Sequence, residues 1–282
     1  MRRLGVHTSI AGGLHLSLER AYELGCNTIQ IFSHNPRGWA IKELSEEDVS
    51  LFKKLRLIRD ITPVYIHSSY LINIASSNKV LNKKSISLLI KEMDRADLIG
   101  ADFVILHPGS ASNESGKIAR KRAIDALNEV AKKGKWNAGL LIENTSGERG
   151  DISTSIKDIA EIIQGVNEYL ISGICIDTCH LFAAGYDIRR TKVINNISND
   201  IEKYIGFKYV KLIHLNDSKT DLGKHIDRHE HIGIGKIGIA GLRKFINYKT
   251  FRSVPLILET PKKTESNDLM NIQKVKKMTN YI

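Results

Sequence analysis

Apolar residues along this chain fall into short uninterrupted runs, and six of these runs stop on a residue able to bind a metal ion. VYI precedes His67, FVIL precedes His107, LLI precedes Glu143, ICI precedes Asp177, LI precedes His214 and LIL precedes Glu259. The terminating residues follow one another at intervals that suit one strand, one helix and two loops. With two earlier runs they predict strands at Leu4–His7, Thr28–Phe32, Val64–His67, Phe103–His107, Gly139–Glu143, Gly173–Asp177, Tyr209–His214 and Pro255–Glu259. Helical periodicity fills the intervals, at Leu14–Leu24, Glu46–Ile58, Asn82–Ile99, Ile118–Lys132, Ile156–Ile163, Val193–Ile205 and Leu242–Ile246. Ser45, with Asp48 three residues on, has the form of a capping box at a helix start.

Strands that are apolar at every position belong to a sheet covered on both faces. Eight such units predict an α/β fold, a single (β/α)8 TIM barrel spanning residues 1–282, with its chemistry at the C-terminal ends of the strands. The polar terminators fall at those ends. Two segments, Ser33–Leu44 and Asp217–Gly238, read as long loops, and loops of that length in a compact domain are usually functional. No Pro-rich linker, low-complexity tract or repeated motif divides the chain.

A lone histidine at a strand end is more often hydrogen-bonded structure than a ligand; six coincidences reverse that reading. Glu143, Asp177 and Glu259 converging on one mouth would repel one another unless cations neutralised them. Asp177 and His180 add a carboxylate and an imidazole just after a strand, and Asp227 with His229 alternates acid and imidazole in the seventh loop. The candidates are then His67, His107, Glu143, Asp177, His180, His214, Asp227, His229 and Glu259. They are too many for one tetrahedral ion and suit three if one carboxylate bridges; mixed imidazole and carboxylate donors favour zinc, with manganese or iron as substitutes. His7 reads as a supporting or core hydrogen bonder, His15, His34, His225 and His231 as solvent-facing, and Asn216 and Asp217 as loop hydrogen bonders. Gly233, Gly235 and Gly238 follow no strand directly and do not read as a phosphate loop.

Charge and composition change this picture little. The 282 residues carry 42 basic and 31 acidic side chains, a net +11 that favours a polyanionic partner, although a lysine-rich composition throughout would produce the same excess. Apolar runs are too short for a membrane span and the first residues lack the apolar core of a signal peptide, so a cytoplasmic, membrane-free protein is expected. Cys26, Cys175 and Cys179 are too few for a disulfide framework, and Cys175 and Cys179 are expected to pack in the core. A barrel buries its own core, which makes a monomer the expected state.

Three longer strings carry a family resemblance: IENTSG (Ile142–Gly147), DTCHLFAAGY (Asp177–Tyr186), and HLNDSK with DRHEHIGIGKIG (His214–Lys219 and Asp227–Gly238). They resemble the signature regions of endonuclease IV, the zinc-dependent apurinic/apyrimidinic endonucleases, and the likeness runs from Ala11–Gly13 to Leu256–Thr260. The resemblance implies three zinc ions: one held by His67, His107 and Glu143, a second by Glu143, Asp177, His214 and Glu259, a third by His180, Asp227 and His229. Glu143 and Glu259 are the carboxylates it assigns to catalysis. It implies hydrolysis of the phosphodiester 5′ to an abasic site in duplex DNA, leaving a 3′-hydroxyl and a 5′-deoxyribose phosphate, together with trimming of blocked 3′ ends. Arg37, Tyr70 and Leu71 would contact DNA and fill the stack vacated by the extruded nucleotide. Ser68 departs from the family, which often has an acidic residue there, and puts the tuning of His67 in question. Two rivals use the same residues differently: a metal-dependent sugar isomerase or epimerase on the same barrel, and a catalytically inactive nucleic-acid-binding relative.

Overall fold

The computed structural model describes residues 2–167, 169–262 and 266–279. Its strands are β1 (Leu4–His7), β2 (Thr28–Ile31), β3 (Val64–His67), β4 (Phe103–Leu106), β5 (Gly139–Glu143), β6 (Ile171–Asp177), β7 (Val210–His214), β8 (Asp217–Ser218), β9 (His229–Glu230) and β10 (Leu256–Leu258). All but β8 and β9 are parallel and close into a barrel, β10 lying between β7 and β1. The expected (β/α)8 TIM barrel is the fold observed. Helices α1 (Leu16–Glu23), α2 (Glu46–Ile58), α3 (Lys79–Ile99), α4 (Gly116–Ala131), α5 (Ile156–Gly165), α6 (Thr178–Ala183), α7 (Thr191–Tyr204), α8 (Gly238–Ile246) and α9 (Ser266–Met278) follow the strands. Among the described residues no helix is long and apolar enough to cross a membrane.

Side chains alternate between the two faces of each strand, and this parity builds the site. Outward positions such as Val64, Ile66, Val104, Leu140, Ile142, Ile174 and Ile213 join the large core beneath the helices. Inward positions Tyr65, Ile105, Leu141, Cys175, Leu212 and Ile257 form a separate plug inside the barrel. Two residues beyond each plug residue stands a predicted ligand: His67, His107, Glu143, Asp177, His214 and Glu259. The same parity on the remaining strands selects His7, two residues beyond Gly5, and Gln30, two beyond Thr28. Gly5 is required where it stands, because a Cβ there would lie 1.9 Å from the Thr28 carbonyl oxygen.

Several helices start earlier than periodicity suggests, and for α3 the start is set by a cap rather than by apolar spacing. Asn78 caps α3, accepting from the amides of Val80 and Leu81. Half of the expected capping box forms at α2: the Ser45 side chain accepts from the Asp48 amide, while the Asp48 carboxylate reaches instead to the amides of Leu14 and His15 and to the His15 ring. The six-residue α6 and the C-terminal α9 have no counterpart in the sequence reading. In α9 the buried face mixes Ile272, Val275 and Met278 with Asp268 and Asn271, a stripe too polar to stand out.

The long seventh loop carries structure of its own. β8 and β9 pair antiparallel within it, and the rest wraps around Asp217. That buried carboxylate accepts from the amides of Gly233 (2.9 Å), Gly235 (3.1 Å), Ile237 (3.0 Å) and Gly238 (3.2 Å). The three glycines that superficially suggest a phosphate loop are gathered around a carboxylate of the protein itself. Replacing Asp217 by Asn turns one acceptor oxygen into a donor facing these amides. It should cost about 3 kcal/mol of stability, read from denaturant unfolding, with the 227–238 segment the first to lose protection from hydrogen exchange.

Candidate metal centre

The nine predicted ligands meet at the C-terminal mouth of the barrel. Potential donor atoms of His67, His107 and Glu143 lie within 4.8 Å of one another, as do those of Glu143, Asp177, His214 and Glu259, and those of His180, Asp227 and His229. Glu143 belongs to two sets: its Oε2 is 2.9 Å from His107 Nε2 and 3.5 Å from His67 Nε2, and its Oε1 is 2.8 Å from His214 Nδ1. His229 Nε2 lies 3.2 Å from Asp227 Oδ1 and 3.6 Å from Asp177 Oδ2, joining the third set to the second.

Three of the five rings are aimed through Nδ1 by a backbone carbonyl. His67 Nδ1 faces the carbonyl of Ser68 at 2.8 Å, His180 Nδ1 that of Asn144 at 2.8 Å, and His229 Nδ1 that of Glu259 at 3.1 Å. A carbonyl only accepts, so each Nδ1 carries the hydrogen, and the neutral ring turns an Nε2 lone pair into the site. Since the backbone of residue 68 makes this bond, the departure at Ser68 leaves the orientation of His67 intact. His180 reaches its place through α6: Asp177 caps that helix, its Oδ1 accepting from the His180 amide at 2.8 Å.

The donor set fits divalent cations on a further observation. His107 Nε2, Glu143 Oε2, His180 Nε2 and His229 Nε2 are all buried without a hydrogen-bond partner. His107 Nε2 and Glu143 Oε2 face one another at 2.9 Å without hydrogen-bond geometry, an arrangement of opposed lone pairs that a shared cation would satisfy.

The electrostatics of the metal-free cluster say the same. Burial disfavours charge on His67, but Glu143 and Glu259 outweigh it and raise the imidazole to about 9. His229 is raised to about 9 against the same penalty by Asp227 and Asp177. His180 and His214 are also raised against burial, by Asp177 with Asp227 and by Glu143 with Glu259. Conversely, Glu143 is fully buried, Glu259 largely so and Asp227 only partly, which by itself favours the neutral acid, yet the surrounding imidazoles hold all three well below the ordinary carboxylate range. Without ions, protons on the rings balance the carboxylates. Cations would displace those protons.

Two supporting residues were underrated or missed in the sequence. Asn216 donates to Asp177 Oδ2 at 2.6 Å and Glu259 Oε2 at 3.2 Å and accepts from the Glu259 amide, tying β7 to its neighbours. Gln30 reaches His214, Glu259 and His7 from β2. Its only signal in the sequence is strand parity. His7 fits its reading as a supporting residue, with Gln30 at 2.9 Å and Glu259 at 3.7 Å.

Other expectations are met unevenly. His34 does not face solvent: it is buried, with Nε2 2.7 Å from Glu92 Oε1, because α3 supplies a carboxylate beneath the loop. His15 and His231 are half-buried against Asp48 and Asn271, and His225 is exposed. All three cysteines are buried free thiols, and burial pushes Cys26 and Cys179 up to about 12. A cavity of about 720 Å3 opens over the ligands, walled by His7, Phe32, Tyr70, Thr260 and Lys262. Beside it lies another, of about 850 Å3, lined by Arg37, Tyr70, Asn73, Arg149 and Arg228. Tyr70 stands 64% exposed with its ring edge on Phe32, Leu71 is half-buried, and Arg37 is exposed at the rim.

Comparison with known proteins agrees with this geometry. Residues 18–278 match the family model of the xylose isomerase-like TIM barrel. A probable endonuclease 4 of Halothermothrix orenii is 44% identical over 260 residues, 92% of this chain and 94% of that protein. The crystal structure of endonuclease IV from Thermus thermophilus superposes with a TM-score of 0.85 at 32% identity, over 98% of each chain. A D-tagatose 3-epimerase-like protein superposes with a TM-score of 0.69 at 20% identity, over 98% of this chain and 96% of that one, a likeness of fold alone. With the candidate ligands at the strand ends, the barrel and these relatives in agreement, the chain belongs to the endonuclease IV family.

Proposed function

We propose that this protein is a zinc-dependent apurinic/apyrimidinic endonuclease of DNA repair. It cleaves duplex DNA on the 5′ side of an abasic site, leaving a 3′-hydroxyl and a 5′-deoxyribose phosphate, and it trims blocked 3′ ends. The observation that carries this reading is the convergence of three ligand sets that share Glu143, with four buried donor atoms otherwise unpartnered. His67, His107 and Glu143 would hold one zinc, Glu143, Asp177, His214 and Glu259 a second, and His180, Asp227 and His229 a third, with manganese or iron as substitutes. Bound there, such ions supply a nucleophile from water at neutral pH, neutralise the phosphate oxygens and stabilise the departing 3′ oxygen.

The chain's own residues do the rest. Glu143 and Glu259, buried and held ionised, fix the negative charge that orders the centre. Asn216 and Asn144 keep Asp177 in place from either side, Asn144 accepting from its amide and Asn216 donating to its carboxylate. Arg37, Arg149 and Arg228 line the flank of the mouth with cations that suit a phosphate backbone. Tyr70, propped upright by Phe32, and Leu71 next to it offer the wedge that keeps an extruded abasic nucleotide out of the stack. Partner and substrate are thus damaged duplex DNA.

A sugar isomerase or epimerase would have little use for the third ligand set. Asp227→Asn or His229→Asn should therefore lower bound zinc by one ion per chain and reduce nicking of an abasic duplex about 100-fold. Elemental analysis and a plasmid-nicking assay read the two effects. Full incision by either variant lacking that ion would count against the reading.

The raised imidazoles predict a pH dependence. His67 and His229, at about 9 without ions, are protonated at pH 7.5 and must lose those protons to ligate. Zinc binding should release protons, seen by calorimetry in buffers of different ionisation enthalpy, and weaken as pH falls. In the metal-free protein the stability from these rings is complete below their unfolded value near 6.5 and lost as pH rises through about 9. Thermal unfolding in chelator should therefore move down between pH 6.5 and 9, and the zinc-loaded protein should not follow it.

A further inference from the structure

The eight barrel strands present eight polar residues at the level of the candidate ligands. Six are the strand-end ligands, and the remaining two are His7 and Gln30. Gln30 is fully buried and makes three polar contacts: Oε1 with His214 Nε2 at 2.6 Å, and Nε2 with Glu259 Oε1 at 2.6 Å and His7 Nδ1 at 2.9 Å. The amide has one consistent orientation. A carboxylate can only accept, so the NH2 group faces Glu259, and the carbonyl is left for His214.

Two consequences follow for the second ligand set. The Gln30 carbonyl accepts from His214 Nε2, which fixes a hydrogen there and leaves Nδ1, hydrogen-bonded to Glu143 at 2.8 Å, as the nitrogen that would give up its proton to a cation. Glu259 is held by Oε1, which leaves Oε2 turned toward His214 Nδ1 at 3.3 Å. Three of the other rings, His67, His180 and His229, are oriented by backbone carbonyls. His214 is oriented by a side chain, on a strand that contributes no ligand of its own.

Resting on the metal-centre reading above, we propose that Gln30 is a positioning residue for the second ion. It fixes a hydrogen on His214 Nε2 and holds Glu259 by Oε1, and its effect falls chiefly on the set formed by Glu143, Asp177, His214 and Glu259. The first set feels it only indirectly through Glu143, and the third only through the contacts of His229 with Asp177 and with the Glu259 carbonyl.

The test is zinc affinity, measured by titrating the metal-free full chain with Zn2+ against a chromophoric chelator. Gln30→Met keeps the volume and removes every hydrogen bond. One zinc of the wild-type complement should bind about 10- to 100-fold more weakly, with the others within about twofold. Tyr65→Phe is the control: it removes a buried hydrogen bond to the Lys211 carbonyl in the plug below, and should lower the unfolding temperature in chelator without changing any zinc affinity. Should Gln30→Met fail to fold, Gln30→Glu keeps an acceptor for His214 but loses the donor to Glu259, and should weaken the same ion. Wild-type zinc affinities in a folded Gln30 variant would overturn the proposal. Absence of zinc binding by the wild-type chain would instead overturn the metal-centre reading beneath it.

Discussion

Glu143 and Asp177 are fully buried, Glu259 nearly so, and all three carboxylates face the same space at the top of the barrel. Water cannot solvate them there, so their charge has to be balanced by groups the fold brings to them. Five imidazoles surround them, and the raised His67, His180 and His214 and the depressed Glu143 and Glu259 are two descriptions of that balance. The unpartnered donor atoms mark where the balance is incomplete without cations. Asn144, Asn216 and Gln30 spend their hydrogen bonds on holding these acids and His214 apart at fixed positions, a task that apolar side chains of the same size would not perform.

The barrel meets this demand because strand ends are rigid. The inward plug of Tyr65, Ile105, Leu141, Cys175, Leu212 and Ile257 fills the interior directly below the ligand layer, which keeps that layer from sinking into the barrel. The third ligand set is built differently. His180 comes from a short helix capped by Asp177, while Asp227 and His229 come from a loop pinned by the amides around Asp217. Accordingly its Asp227 side chain is 40% exposed while Glu143 is wholly buried.

Endonucleases and sugar epimerases share this scaffold, and the likeness to an epimerase-like protein at a TM-score of 0.69 carries no more than the barrel. What separates the two chemistries in this chain is the set outside the strand ends and the rim around it. Arg37, Arg149 and Arg228 surround a wide cavity beside the ligands, a wall suited to a polyanion. Under that rim, Glu92 of α3 joins the two loops that carry Arg37 and Tyr70, meeting His34 at 2.7 Å and the Ser69 amide at 2.9 Å.

Whatever depends on local period was legible in the sequence. The strands, most helices and the six strand-end candidate ligands announce themselves by apolar runs and by the residue that stops them, and the DTCH and DRH strings add the candidates His180, Asp227 and His229. Whatever depends on a distant partner was not. Nothing near His34 signals that Glu92, 58 residues away, will bury it, and nothing near Asp217 signals the amides that arrive 16 to 21 residues later. Gln30 reads as one polar residue in a short strand until closure of the barrel sets it against His214, 184 residues on, and Glu259, 229 residues on. Sequence alone determined which residues end the strands, because alternation and apolar runs are properties of neighbours; the tertiary structure decided which of those ends meet and how each is held, because hydrogen bonds and charge balance are settled only between groups that closure of the barrel brings together.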